Sequence, residues 1–394
     1  MYSLYCRVYQ FAFRMVSYIL PFRKPTIIKS TAELPVIAKS LGLRHLLIVT
    51  DTVIVTLGLM EDMMKSLSEQ GLEWTLYDKT VPNPTIDNIE EALQMYIDHH
   101  CDAIVAFGGG SSIDCAKGVA VRVARPNKTI PQMKGVLKVL RRTPTLFAVP
   151  TTSGTGSEAT LATVITNSKT HEKYAINDPV LIPSYGVLDP KLTLGLPPHI
   201  TSTTGMDALT HAVEAYIGNS NTSETKKMAE DAIKLIINNV YTAFIDGSDY
   251  EARANMQRAS YYAGIAFTRA YVGNIHAIAH TLGGFYNTPH GLANAVILPH
   301  VLKAYGVSVH RKLAELEQLL SDAKGSDEDK ANRFIDRIVE LNAKMNIPNQ
   351  IKGIEDKDLP LMVERAFHEA NPLYPVPKIF TRQDFMLIYQ EIKG

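Results

Sequence analysis

The chain has 394 residues, 46% of them hydrophobic, with 40 basic against 40 acidic side chains and three cysteines. That length predicts two domains with substantial cores, and the balanced charge lacks the basic excess that a nucleic-acid partner needs. Cys6, Cys101 and Cys115 stand far apart, without metal-type or redox-type spacing, which fits a reducing cytoplasm and argues against a disulfide framework.

Residues 1–20 are rich in Tyr, Phe, Val, Ile and Leu, yet Ser3, Arg7, Gln10, Arg14 and Ser17 fall on one helical stripe. Charge interrupts the stretch too often for a membrane span, and no basic leader or small-residue cleavage site marks a secretory signal. It reads as an amphipathic helical extension, 1–21, closed by Pro21. It is expected to pack on its own protein or a neighbouring subunit, with a membrane-surface anchor as the alternative.

From 22 to 195, apolar runs alternate with helical stretches. His45–Thr50, Trp74–Tyr77, Ala103–Phe107 and Thr145–Val149 read as strands. Helical patterns follow Asp51, as far as a cap at Gly71, and span Pro84 to His100. Continuous apolar runs separated by helices predict a parallel sheet covered on both faces, with ligands at the carboxyl ends of its strands. Two loops at those ends are rich in Gly, Ser and Thr: Gly108-Gly109-Gly110-Ser111-Ser112, opening a helix with Asp114 and Lys117, and Pro150-Thr151-Thr152-Ser153-Gly154-Thr155-Gly156-Ser157. Glycines allow close backbone approach, and N–H groups at a helix start suit a pyrophosphate. Neither loop matches the three-glycine dinucleotide fingerprint, since Ile113 stands where its third glycine belongs, and neither is a Walker loop. Asp51 can accept a ribose hydroxyl pair and repel a 2′-phosphate, or it can simply cap the helix that follows.

Past Leu196-Pro197-Pro198 helical periodicity takes over, and 196–394 reads as an all-helical domain. Asp207 and His211 stand four apart, as do His276 and His280, which places each pair on one helix face. His290 follows in Pro289-His290-Gly291. These five residues look like one metal site, and imidazoles with a carboxylate suit iron(II) or zinc with a position left for substrate. The competing reading takes Thr204-Gly205-Met206-Asp207 as a helix capping box and each His as an ordinary core residue. The metal is expected to face the nucleotide loops across a cleft between the domains.

With these motifs assembled, over roughly residues 25–394, the chain resembles the iron-containing (group III) alcohol dehydrogenases. The resemblance rests on Gly108-Gly109-Gly110-Ser111-x-x-Asp114-x-x-Lys117, Pro150-Thr151-Thr152-x-Gly154-Thr155, Gly205-Met206-Asp207-Ala208-Leu209-Thr210-His211, and His276-x-x-x-His280 with Pro289-His290-Gly291. It implies a Rossmann-like α/β domain followed by an all-α domain, in a dehydroquinate synthase-like fold. It also implies a homo-oligomer, a dimer at its simplest, that takes a small alcohol or aldehyde. It assigns the metal to Asp207, His211, His276 and His290, and makes His280 a neighbour close to metal and nicotinamide. It assigns NAD, with NADP as an alternative, to Asp51, Asn83, Gly109, Gly110, Ser111, Thr151, Thr152, Thr155 and Lys173, and less firmly to Asp114. The expected reaction is hydride transfer between small primary alcohols or diols and their aldehydes. The alternative is a semialdehyde reductase or phosphorylated-polyol dehydrogenase on the same fold. Two positions depart from relatives acting on small hydroxyaldehydes, which often carry Asn: Ala162, and the stretch Ala266-Phe267-Thr268-Arg269. Arg269 either holds a substrate carboxylate or forms an ordinary salt bridge.

Overall fold

A computed structural model describes every residue except 20, 21, 170 and 171, so the expected stop at Pro21 lies outside the described residues. The chain divides into two compact units, Pro21–Gly195 on one side and Met1–Leu20 with Leu196–Gly394 on the other.

The first unit is built on a six-stranded sheet of β1 (Thr26–Ile28), β9 (Tyr185–Val187), β6 (Thr145–Pro150), β4 (Ala103–Gly108), β2 (His45–Val49) and β3 (Glu73–Tyr77), in that spatial order and parallel throughout. All six residues of β4 are buried, which is why its sequence is a continuous apolar run. The pleat sends Leu47, Val49, Ile104 and Ala106 into one apolar cluster, with the helices Ile86–Asp98 and Gly110–Ala124. Leu46, Ile48, Val105 and Phe107 enter the other, with Glu33–Ser40 and Glu61–Glu69. β4 and β6 run in register to their ends, Gly108 opposite Pro150, so the two polar loops leave the sheet side by side.

Four strands were legible in the sequence; β1 and β9 are three residues each, too short to show a period. A separate three-stranded sheet joins β5 (Gly135–Val136), β8 (Glu172–Asn177) and β7 (Ala162–Asn167), with β7 and β8 antiparallel. The helical stretch after Asp51 is two pieces, Thr52–Thr56 and Glu61–Glu69, parted at Gly58.

The second unit is helical. Its central helix, Pro198–Ile217, packs against Ser223–Ile245, Tyr250–Ala270 and His290–Tyr305. Thr204 lies inside this helix, its hydroxyl donating to the Ile200 carbonyl at 2.7 Å, so the capping-box reading is corrected: Pro198, in the first turn, sets the start. The helix Tyr2–Ile19 packs on this unit through its polar stripe. Arg7 donates to the Val376 and Pro377 carbonyls at 2.6 and 2.7 Å, and Gln10 to that of Tyr374 at 2.7 Å, while Leu4, Val8 and Phe11 are exposed. Among the described residues no single helix is long and apolar enough to cross a membrane.

Candidate metal and nucleotide sites

Asp207 and His211 sit one turn apart on the central helix, His276 lies on Asn274–Tyr286, and His290 opens His290–Tyr305. One ligand atom from each of the four lies within 4.8 Å of the others. Asp207, His211 and His276 are buried, and His290 is half-buried. Gly291 permits this convergence. A Cβ there would lie 2.4 Å from the Thr203 carbonyl oxygen, so only glycine lets the His290 helix settle onto the central one.

The electrostatics suit a cation. Burial pulls His211 down to about 3 and His276 well below the usual histidine range, which holds both rings in the neutral, ligating form. The Phe267 ring stacks on His211, 4.2 Å between centroids, and fixes its plane. His276 Nδ1 lies 2.6 Å from Glu214, which also accepts the backbone N–H groups of Gly273 at 2.8 Å and Ile275 at 2.9 Å. Burial pushes the Glu214 carboxyl up to about 8 against these donors, and a divalent cation on the neighbouring His276 would draw it back towards the carboxylate. With two peptide N–H groups aimed at its oxygens, Glu214 is an acceptor. His276 therefore donates from Nδ1 and presents the Nε2 lone pair, 2.9 Å from His211 Nε2. Asn294, one turn beyond His290, turns its amide nitrogen onto Asp207 Oδ1 at 2.6 Å and onto His276 and His290 Nε2 at 3.2 Å each. Three imidazoles and a carboxylate crowd their lone pairs together; that donor set fits a divalent ion of the iron(II) or zinc type.

His280 stays outside the four. Its ring stacks on His290, 5.3 Å between centroids, and Nδ1 bonds Glu369 at 2.6 Å, which also accepts the Tyr374 hydroxyl at 2.9 Å. The five-residue set thus becomes four convergent donors and one neighbour. The sequence reading assigned no role to Glu214, Asn294 or Glu369. Glu214 continues the face of Asp207 and His211, and Asn294 stands four after His290, so both had a spacing signal. Glu369, 89 residues beyond His280, had none.

In the other unit, the loops at the ends of β2, β4 and β6 meet. Asp51 Oδ1 accepts Val53 and Ile54 N–H at 3.0 and 3.1 Å, and Oδ2 accepts the Ser112 hydroxyl at 3.3 Å. It is a helix cap that also touches the glycine loop. Thr151 N–H donates to the Gly108 carbonyl at 3.0 Å, and a Cβ on Gly109 would contact Thr152 at 3.6 Å. A Cβ on Gly110 would lie 2.7 Å from Thr155. Asn83, at φ 58°, donates its N–H to Ser111 Oγ at 3.3 Å and accepts Lys173 Nζ at 2.9 Å. The helix Gly110–Ala124 starts at Gly109 without a side-chain cap, and this bare glycine cradle fits a pyrophosphate. Asp114 accepts the Ser157 hydroxyl at 3.0 Å and Val164 N–H at 3.2 Å, and burial raises its carboxyl. Lys117, buried beside it, donates to the Thr160 and Ala162 carbonyls at 2.9 and 2.8 Å and is pulled down to about 8 by burial.

Family profiles agree with this geometry. The profile described as iron-containing alcohol dehydrogenase matches residues 27–190, and that of the Fe-containing alcohol dehydrogenase family, C-terminal, matches 201–393. A 1,3-propanediol dehydrogenase of Citrobacter freundii is 38% identical over 369 residues, covering 91% of this chain and 94% of that one. A crystal structure of a 1,3-propanediol oxidoreductase superposes with a TM-score of 0.89 at 34% identity, covering 95% of this chain and 100% of the other. A sulfoacetaldehyde reductase from Bifidobacterium kashiwanohense, solved with NAD+, gives a TM-score of 0.83 at 26% identity over 94% of this chain and 98% of its own. The chain belongs to the iron-containing alcohol dehydrogenase family. It is an oxidoreductase acting on CH–OH groups, with a nicotinamide cofactor and an iron-type metal.

Proposed function

We propose that the chain interconverts short primary alcohols or diols with their aldehydes, using NAD, with Asp207, His211, His276 and His290 holding iron(II) or zinc. The observation that carries this reading is the convergence of those four donors within 4.8 Å. Similarity to two 1,3-propanediol enzymes supports a three-carbon diol among the substrates. When bound, the metal supplies Lewis-acid polarisation of the substrate oxygen and the nicotinamide exchanges hydride.

The chain's own residues do the rest. Glu214 fixes the His276 tautomer, and Phe267 the plane of His211. His280, bonded through Nδ1 to Glu369, has Nε2 available to receive the proton of the substrate hydroxyl and pass it on. Asp51 accepts the ribose hydroxyls, Gly109, Gly110 and Ser111 admit the pyrophosphate, and Asn83, Thr151, Thr152, Thr155 and Lys173 take the cofactor's remaining polar groups. Asp114 acts through Ser157, as a positioning residue.

A negatively charged aldehyde or phosphorylated polyol would need a spare cation. The Arg269 guanidinium lies 3.1 Å from Glu224, which supports the salt-bridge reading and not this alternative. The deciding assay is purified protein with iron(II), NAD and a panel of alcohols including 1,3-propanediol, followed by NADH absorbance. Failure to form NADH with any of them would remove the reading. The buried, unpaired Cys6, Cys101 and Cys115 support a cytoplasmic setting, and a homodimer is the assembly to test by mass in solution.

A further inference from the structure

The helical unit holds a second charged concavity that the reaction does not use. A cavity of about 230 Å³ is lined by Tyr216, Asn221, Lys226, Arg311, Lys312 and Glu315. Lys226 belongs to the first turn of Ser223–Ile245, Arg311 and Lys312 to that of His310–Gln318, and Tyr216 to the end of the central helix.

Its charges do not balance. Glu315 accepts the Tyr216 hydroxyl at 2.8 Å, Lys226 at 3.0 Å and Arg311 Nε at 3.3 Å. Among the described residues the acceptors of Lys312 are neutral, the carbonyls of Ile217 at 2.6 Å and Gly218 at 3.0 Å, and Asn219 Oδ1 at 3.4 Å. Arg14 brings a further cation, bonded to the Asn219 carbonyl at 3.1 Å. Among the lining residues three cations, Lys226, Arg311 and Lys312, stand against one carboxylate, Glu315, with Glu230 acting on Tyr216 from the same helix as Lys226. The Lys312 ammonium is lowered chiefly by burial, which Glu315 opposes, and to a smaller degree by Lys226, Arg14 and Arg7. A network that served only to tie helices together would pair charge with charge. This one leaves an excess of positive charge over a hollow, the arrangement that concentrates an anion.

We propose that this cavity is a binding site for a small phosphate-bearing anion. Arg311 meets Glu315 through Nε, so its outer N–H groups can take two phosphate oxygens, and the Lys226 and Lys312 ammoniums supply point charges beside them. Occupancy would reach the metal helix through Lys312, which holds the carbonyls at the end of the helix carrying Asp207, His211 and Glu214.

The test is calorimetric titration of the full, metal-loaded protein with inorganic phosphate, against chloride at matched ionic strength. Wild type should bind phosphate saturably. Lys226→Gln with Arg311→Gln should weaken that binding by about tenfold or more, and Glu315→Gln should tighten it. Alcohol oxidation without phosphate should survive in the double variant, which separates failure of this site from failure of the catalytic reading. If the double variant does not fold, Arg311→Gln alone, at a side chain 85% exposed, should still weaken binding several-fold. Undiminished phosphate binding in the variants would place the anion elsewhere, at the metal or the glycine cradle, and overturn the proposal. Equal heats from chloride would reduce the effect to screening and overturn it as well.

Discussion

Replacing Glu214 with Gln changes one oxygen for an NH2 group at a residue 4% exposed, and the geometry works out the cost. One carboxylate oxygen serves Ile275 N–H; the other serves both Gly273 N–H and His276 Nδ1. If the amide oxygen takes the second position, its NH2 faces Ile275 N–H and a buried donor goes unpaired, at about 1–3 kcal/mol. If the amide turns over, NH2 faces Gly273 and His276 together. His276 must then accept at Nδ1 and carry its proton on Nε2, the atom 2.9 Å from His211, so the lone pair meant for the metal disappears. Either way the acceptor that orients the ligand is lost, and outer partners in this role are worth roughly 10–100-fold in metal affinity. The expected outcome is a lower melting temperature for the metal-free protein and zinc affinity reduced by about 10–100-fold in chelator competition. Alcohol oxidation should fall in parallel and be partly restored by excess metal. A Glu214→Gln protein that binds zinc as wild type does would refute the tautomer argument, whatever its melting temperature.

His211→Ala or His276→Ala should remove most bound iron or zinc and nearly all activity while nucleotide binding persists, read by metal analysis and NAD titration; wild-type turnover in the demetallated variant would contradict the site. Asp51→Ser keeps a side-chain oxygen for the helix cap but removes the charge, so NAD should lose about tenfold in kcat/KM relative to NADP. An unmoved ratio would leave Asp51 as a cap alone. Lys117 loses its proton near pH 8 in the folded chain and near 10.5 in the unfolded one. The unfolded state therefore binds more protons between those values, and this residue makes stability rise with pH across that window. Denaturant unfolding of Lys117→Met should show a shallower slope from pH 8 to 10, and an unchanged slope would mean that Lys117 is not the group titrating.

Local spacing made part of this protein readable. The four-residue intervals Asp207–His211 and His276–His280 fix helix faces by geometry alone, and the uninterrupted apolar runs of β2, β4 and β6 follow from burial on both sides of a parallel sheet. Spacing could not say which member of each pair meets the others. His280 has the same interval as its partners, yet packing turns it to Glu369, 89 residues away, while His276 turns to Glu214, 62 residues away. The N-terminal helix shows the same limit. Its pattern reads as an amphipathic helix without saying which face is covered; backbone carbonyls at Tyr374, Val376 and Pro377 lie beneath it, and Arg7 and Gln10 go down to satisfy them. Periodicity records how a segment divides its own side chains between two faces; which face is covered, and by what, is decided by donors and acceptors brought from distant parts of the chain.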